Sequence, residues 1–241
     1  GQSRFSEFEK NLSKIKDAVI SNIGADQYPI YKATINPDAS SSIWLVGCIH
    51  GDEIAGTTSL LEYMKNGIIP SNLRLEIIPV LNTSGFINSD RNNMNGIDIN
   101  RDFCNDSYQF ETESLLNSIK QDNPFLFWTL HEDHTCDDFY CYYSDEGNLE
   151  KWKKLIQLAK QYFHIRNSEI HGDECIHGLI CHPKEEKRLN HPKHKCSIEN
   201  KMYQMGINYL TTETPAKASL SLRTLCYKKM LDYILNHLVN H

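Results

Sequence analysis

The residues best suited to chemistry in this 241-residue chain are His50, Glu53, His131 and Glu213. His50 and Glu53 stand three apart in HGDE, directly after the apolar run Ile43 to Ile49, and Gly51 between them lets the chain turn sharply. An imidazole and a carboxylate are thereby held on one tight turn. His131 follows a second apolar run, Phe125 to Leu130 (FLFWTL), and Glu213 follows a third, Ile207 to Thr212 (INYLTT). In an open α/β sheet, ligands bind outside the carboxyl ends of the strands, and these three ends can converge on one edge. Two imidazoles and a carboxylate make the ligand set of catalytic zinc sites that keep a fourth position for water, whose pKa zinc lowers to about 7. One zinc per chain is expected at His50, Glu53 and His131, with Glu213 as the group that moves protons. Each piece has a plainer reading alone: HGDE can be an ordinary surface loop, and Glu213 beside Pro215 can be a cap or loop carboxylate. The three strand ends together favour the site.

Those side chains need a scaffold, and hydrophobic periodicity outlines one. Phe5, Phe8, Leu12, Ile15 and Val19 describe an amphipathic first helix ended by Gly24 and Pro29. Tyr31 to Ile35 reads as a short edge strand, Ile43 to Ile49 as a buried strand, and Leu60, Leu61 and Met64 as the helix after it. Leu73 to Leu81 is a further strand, with Pro79 marking an edge or a strand end. Asn82 to Asp106 is rich in Asn, Asp and Gly and reads as loop; it is long enough that a functional role is expected. Glu111 to Lys120 is predicted helical and Phe139 to Tyr143 β-prone. Trp152, Leu155, Ile156, Ala159, Tyr162 and Phe163 form a helical stripe assigned to core packing, Glu169 to Cys196 is irregular, and Leu220 to Val239 is a C-terminal helix. The alternation of strands and helices predicts a three-layer α/β/α sandwich around a mostly parallel mixed sheet. No Pro/Gly/Ser-rich linker divides residues 1 to 241, so one catalytic domain is expected.

Composition narrows the function classes. A hydrophobic fraction of 40% with 23% charged residues is ordinary for a globular protein with a substantial core. A net charge of −6 and a pI near 6.0 argue against nucleic acid as a partner, which needs clustered Lys and Arg. No segment reaches the roughly 18 consecutive apolar residues of a membrane span, and the start lacks a signal-peptide core, so a cytoplasmic protein with no membrane partner is expected. The eight cysteines show no CxxC pair and are expected to be free thiols.

The segments HGDE (50 to 53), NTSGF (82 to 86), RNNMNGIDINRDF (91 to 103), LHED (130 to 133) and TTETP (211 to 215) resemble, in order, the motifs of the zinc carboxypeptidases. These are the carboxypeptidase A-like metallopeptidases, including the compact bacterial murein peptide amidases. The likeness spans residues 40 to 235, and GIDINRDF is its most specific part. It implies a zinc-carboxypeptidase-like fold and a hydrolase that cuts an amide bond next to a free carboxylate. It also implies that His50, Glu53 and His131 bind zinc, that Glu213 activates water, and that Arg91 polarises the scissile carbonyl and stabilises the oxyanion. Asn100 and Arg101 would grip the substrate carboxylate; a bidentate guanidinium suits that anion, and a fixed cation suits a developing oxyanion. Thr83 and Ser84 stand where the family often has Pro and Asp. The family's substrate-capping tyrosine should fall some twenty residues before Glu213, where this chain has no tyrosine; either His191 or His194 takes its place in binding the substrate, or the role is absent. Ser197 and Ile198 would border the specificity pocket, and Ile198 would make it apolar.

A second IHGDE, at Ile170 to Glu174, lacks a preceding apolar strand and a following helix, so it reads as a surface loop. With His177, Cys181, His182, His191, His194 and Cys196 nearby, a second metal site is the alternative, although the spacing fits no common zinc module. Asp133 and His134 are candidates for supporting the zinc ligands from behind. Substrates would be small peptides or N-acyl amino acids with a free carboxylate. The rival readings are an N-acyl amino acid deacylase of the aspartoacylase and succinylglutamate desuccinylase type, and an inactive metal- or peptide-binding module.

Overall fold

A computed structural model describes residues 1–181 and 194–237. Eight strands form one sheet: β1 (Val19–Asn22), β2 (Tyr31–Ile35), β3 (Ser41–Gly47), β4 (Leu73–Ile78), β5 (Leu126–Asp133), β6 (Tyr140–Tyr143), β7 (Leu179–Cys181) and β8 (Tyr209–Pro215). Their spatial order is β1-β2-β4-β3-β5-β8-β6-β7. The central pairs β4/β3, β3/β5 and β5/β8 are parallel, as is β6/β7, while β1/β2, β2/β4 and β6/β8 are antiparallel. Strands β3, β5 and β8 are therefore neighbours whose carboxyl ends share one edge.

The helices are α1 (Gln2–Leu12), α2 (Ile54–Asn66), α3 (Thr83–Asn88), α4 (Phe110–Ile119), α5 (Leu149–Ala159), α6 (Ile198–Gln204) and α7 (Leu220–His237). They cover both faces, and the two-residue period of the strands divides the core accordingly. Ile43 and Leu45 of β3, with Leu126, Trp128 and Leu130 of β5 and Leu210 of β8, pack against α1, α2, α5 and α7. Trp44, Val46, Phe127 and Tyr209 point the other way, onto Leu115, Leu116 and Ile119 of α4 and Ile198 and Met202 of α6. This is the expected α/β/α sandwich. Among the described residues, no helix is long and apolar enough to cross a membrane.

Several boundaries differ from the sequence reading. The first helix stops at Leu12, and Val19 begins a strand, because Val19 to Asn22 pairs antiparallel with Tyr31 to Thr34. Strand β2 is consequently internal rather than at the edge. Pro79 follows the end of β4, where its missing N–H breaks no ladder. The Asn-rich stretch holds α3, capped by the Asn82 side chain accepting from the Gly85 N–H, and a 3₁₀ turn at Ile99–Arg101. Tyr162 and Phe163 lie beyond the end of α5, and the irregular region contains β7. Cys104 and Cys196 form a disulfide, so the expectation of eight free thiols holds for the other six.

Candidate active site

The turn that carries His50 and Glu53 is built by close backbone packing. Cys48, just past β3, adopts φ 49°, a left-handed conformation that reverses the chain and that non-glycine residues seldom take. Gly51 then passes so near α3 that a Cβ there would stand 2.0 Å from the backbone carbon of Gly85. The Gly51 N–H donates to the Arg91 carbonyl at 3.3 Å, joining this turn to the Asn-rich stretch. Glu53 occupies the N-cap position of α2, and its side chain makes no capping hydrogen bond to the helix.

His50, Glu53 and His131 converge, all three buried, with donor atoms within 4.8 Å of one another. Nδ1 of His50 lies 2.5 Å from Glu53 Oε1, and Nδ1 of His131 lies 2.8 Å from Glu53 Oε2. The Glu132 N–H also donates to Glu53 Oε2, at 3.0 Å. Burial works against the charged imidazole of His50, yet Glu53 and Asp98 outweigh it and push its pKa up to about 9. Burial likewise favours neutral Glu53, but His50 and His131 hold that carboxyl down at about 2. The cluster thus presents a buried carboxylate between two imidazoles, each turning a nitrogen toward it. Nε2 of His131 finds no hydrogen-bond partner among the described residues, so the protein does not saturate this imidazole. Two nitrogens and a carboxylate at this spacing fit zinc.

Asp98 binds the site together. Its Oδ1 meets His50 Nε2 at 3.1 Å and accepts the Asn100 N–H at 2.9 Å, while Oδ2 accepts from Arg91 Nη2 at 3.0 Å and Nε at 3.3 Å. A carboxylate on the outer ring nitrogen fixes the tautomer that leaves Nδ1 for a metal. The sequence reading missed this residue, although its place in GIDINRDF, two before Asn100, was a usable signal. Asp133 and His134 do not take that role. Asp133 accepts from Tyr140 at 2.6 Å, Thr135 and the Cys136 N–H and meets His171 Nε2 at 3.0 Å, and His134 lies 3.3 Å from Asp52.

His131 and Glu213 are cross-strand partners, and both lie inside their strands rather than after them. A cavity of about 540 Å³ opens here, lined by His50, Glu53, Arg91, Asn100, Arg101, Ser197, Glu199, Thr211 and Glu213 among others. Glu213 keeps an edge in this cavity, and burial raises its pKa well above the usual carboxylate range; Glu53, Asp133 and Glu199 reinforce the shift against His131. Arg91 reaches within 3.4 Å of Glu53 Oε1 and keeps 43% of its side chain exposed. Asn100 Oδ1 accepts the Ile198 N–H at 2.8 Å, which leaves its NH₂ end for a ligand.

Two expectations fail at the pocket wall. Ile198 is fully buried in the core beneath α4 and lends only its N–H, because α6 starts here and turns the neighbouring Glu199 toward the cavity. The second IHGDE is no plain surface loop: Asp173 is buried, and His171 and His194 line the cavity, His194 lying 3.2 Å from Asp173. Among the described residues the only cluster that could hold a metal is His50, Glu53 and His131, and His182 lies outside them. His191 lies outside the described residues. Ser197 does line the cavity and caps α6.

No family model matches the chain. Carboxypeptidase SOL1 of Arabidopsis thaliana is 29% identical over 155 residues, 54% of this chain and 32% of the plant protein, so the match spans about a third of that relative. A metallopeptidase candidate from Shewanella amazonensis superposes with a TM-score of 0.85 at 21% identity, over 98% of this chain and 94% of that one. A metallo-carboxypeptidase from Burkholderia cenocepacia gives 0.75 at 16%, over 99% and 69%. Murein-tripeptide amidase MpaA from Escherichia coli gives 0.65 at 17%, over 90% and 91%. With its parallel centre and these neighbours, the chain has the fold of the zinc carboxypeptidases.

Proposed function

We propose that this protein is a zinc-dependent hydrolase of the metallocarboxypeptidase or murein peptide amidase type, acting as one catalytic domain on an amide bond next to a free carboxylate. The observation that carries the reading is one cavity in which the His50, Glu53 and His131 cluster meets a proton-holding carboxyl, Glu213, and two arginines. Zinc in that cluster would supply Lewis-acid polarisation and an acidified water. Arg101 and the Asn100 amide hold the substrate carboxylate and so place the neighbouring amide beside the cluster. The Arg91 guanidinium, fixed by Asp98, donates to the carbonyl oxygen as negative charge develops on it. Glu213 takes a proton from the attacking water and delivers it to the leaving amine nitrogen. Its high affinity for a proton suits the second half of that transfer, and a nearby cation would lower it enough for the first.

The test offers zinc-loaded protein a blocked dipeptide with a free C-terminus, the same dipeptide as its amide, and N-acyl amino acids. Cleavage of the free acid, with kcat/KM about 10- to 150-fold above the amide, is expected from a charge-assisted carboxylate grip. Arg101→Ala should raise KM by about 10- to 150-fold, the equivalent of about 1.5–3 kcal/mol. Equal cleavage of acid and amide would overturn the reading, and preferential cleavage of N-acyl amino acids would move it to a deacylase. The Cys104–Cys196 disulfide favours an oxidising compartment over the cytoplasmic location expected from the sequence, since such bonds last there.

A further inference from the structure

The two residues assigned to the substrate carboxylate stand beside a covalent link. Asn100 and Arg101 lie in the 3₁₀ turn Ile99–Arg101, and Cys104 shortly after it is bonded to Cys196, which directly precedes Ser197 and the start of α6. Hydrogen bonds run alongside that bond. The Phe103 N–H donates to the Cys196 carbonyl at 3.0 Å, the Ile198 N–H donates to Asn100 Oδ1 at 2.8 Å, and Lys201 Nζ donates to the Tyr108 hydroxyl at 3.2 Å. The turn that carries Asn100 and Arg101 and the wall that carries Ser197 and Glu199 are thus clipped together along one side of the cavity.

The other end of the cavity does not depend on this clip. His50, Glu53, His131 and Glu213 are placed by β3, β5, β8 and the turn before α2, and Asp98 is held by His50 and Arg91. The clip joins segments 92 residues apart, and its hydrogen bonds are individually modest, so the disulfide is what removes the freedom of one segment relative to the other. A binding group that is already fixed loses less entropy when its ligand arrives. Cys104 is exposed and Cys196 half-buried, whereas Cys48, Cys136, Cys141, Cys175 and Cys226 are buried. Thiol–disulfide exchange therefore has ready access to this pair and not to those five.

We propose that the Cys104–Cys196 bond positions Asn100 and Arg101 for the substrate carboxylate, so that the chain gains its full affinity for substrate only when that bond closes. Closure is an exchange reaction: a thiolate of the pair attacks a small-molecule or protein disulfide, one thiolate leaves, and the second cysteine displaces the other from the mixed disulfide. Two protein thiols are oxidised, and one external disulfide is reduced to two thiols. The reduced chain keeps its zinc ligands and its proton carrier but grips substrate weakly. The proposal rests on the hydrolase reading and adds a control on the same site.

The experiment compares wild type oxidised with glutathione disulfide, wild type reduced with a phosphine, and Cys104→Ser, all zinc-loaded, on a blocked dipeptide with a free C-terminus. In parallel, NMR titrations follow N-acetylleucine and its amide binding to the metal-free forms. Reduction should expose two further thiols to a thiol reagent and raise KM about 10-fold, the scale of one charged hydrogen bond, while kcat and zinc content stay at their oxidised values. N-acetylleucine should likewise bind the oxidised form about 10-fold more tightly than the reduced one, and the amide should bind both alike. Cys104→Ser should match reduced wild type and ignore the phosphine; if its melting curve shows that it does not fold, the two wild-type forms decide alone. No gain in thiols on reduction, or equal KM in the two wild-type forms, overturns the proposal. A fall in kcat or zinc content on reduction overturns it too, since the bond would then be a general brace. If no form cleaves the peptide, the hydrolase reading fails, and the titration decides the present one: tighter N-acetylleucine binding by the oxidised form sustains it, and equal binding overturns it.

Discussion

Asp98 touches neither the bound metal nor the substrate in the proposed reaction, yet it orients His50, Arg91 and Asn100 at once. Asp98→Asn should therefore weaken zinc binding by about 10- to 100-fold, as loss of outer carboxylates commonly does, and competition with a zinc indicator would show it. An unchanged affinity would mean that the His50 ring is held by packing alone. Glu213→Gln tests the opposite kind of residue, one that acts on protons without holding metal. Its zinc content and melting temperature should stay at wild-type values while kcat falls about 10²- to 10⁴-fold; a near-normal kcat would require another base, and Glu132 is a poor candidate because Arg223 occupies it. The residues that sequence revealed were those ending apolar runs or sitting in GIDINRDF. Asp98 lay in the same block and was overlooked. Glu199 gave no sign, because which of two adjacent residues faces a cavity depends on where a helix starts, and that is set by tertiary packing.

At the level of elements, Asp122 ties the start of β3 to β4. Its carboxylate accepts from Ser42 Oγ at 2.8 Å, Trp44 Nε1 at 2.8 Å and Arg74 Nη2 at 2.6 Å. Burial opposes its charge, but the hydrogen bonds from Trp44, Arg74 and Ser42 prevail and lower its pKa. A carboxyl depressed in the folded state adds stability above its unfolded pKa, about 3.9, and that stability disappears as pH falls through the folded value. Asp122→Asn should cost about 1–3 kcal/mol at neutral pH and make the loss of stability below about pH 4 shallower than in wild type, as urea titrations across pH would reveal. Parallel slopes would remove Asp122 from the account. The central strands were legible because uninterrupted apolar runs permit little else. The edge was not: Ile15 and Val19 continue a helical spacing, and only pairing with Tyr31 to Thr34 turns Val19 into a strand. Helix α3 hid in a stretch whose Asn and Gly read as loop, since Asn82 is at once a turn former and a helix cap.

Over the whole molecule, the proposed zinc binding would be linked to folding, because His50, Glu53 and His131 come together only in the folded chain. Zinc held at about 1,000-fold its Kd should stabilise by about 4 kcal/mol and raise the melting temperature by about 8–16 °C, a rise that a chelator reverses. A chelator-insensitive melt of zinc-loaded protein would mean that the cluster does not bind the metal. The three-layer architecture was readable from alternating strands and helices; the disulfide was not, because Cys104 and Cys196 are 92 residues apart and share no spacing motif. The same long reach bears on how the protein is made. Glu53 meets His131 across 78 residues, and at about 5–20 residues per second roughly 4–16 seconds separate their synthesis. Throughout that interval the HGDE turn offers two of the three proposed ligands. On that reading a nascent chain would hold zinc only weakly, and firm binding would wait until β5 has docked beside β3.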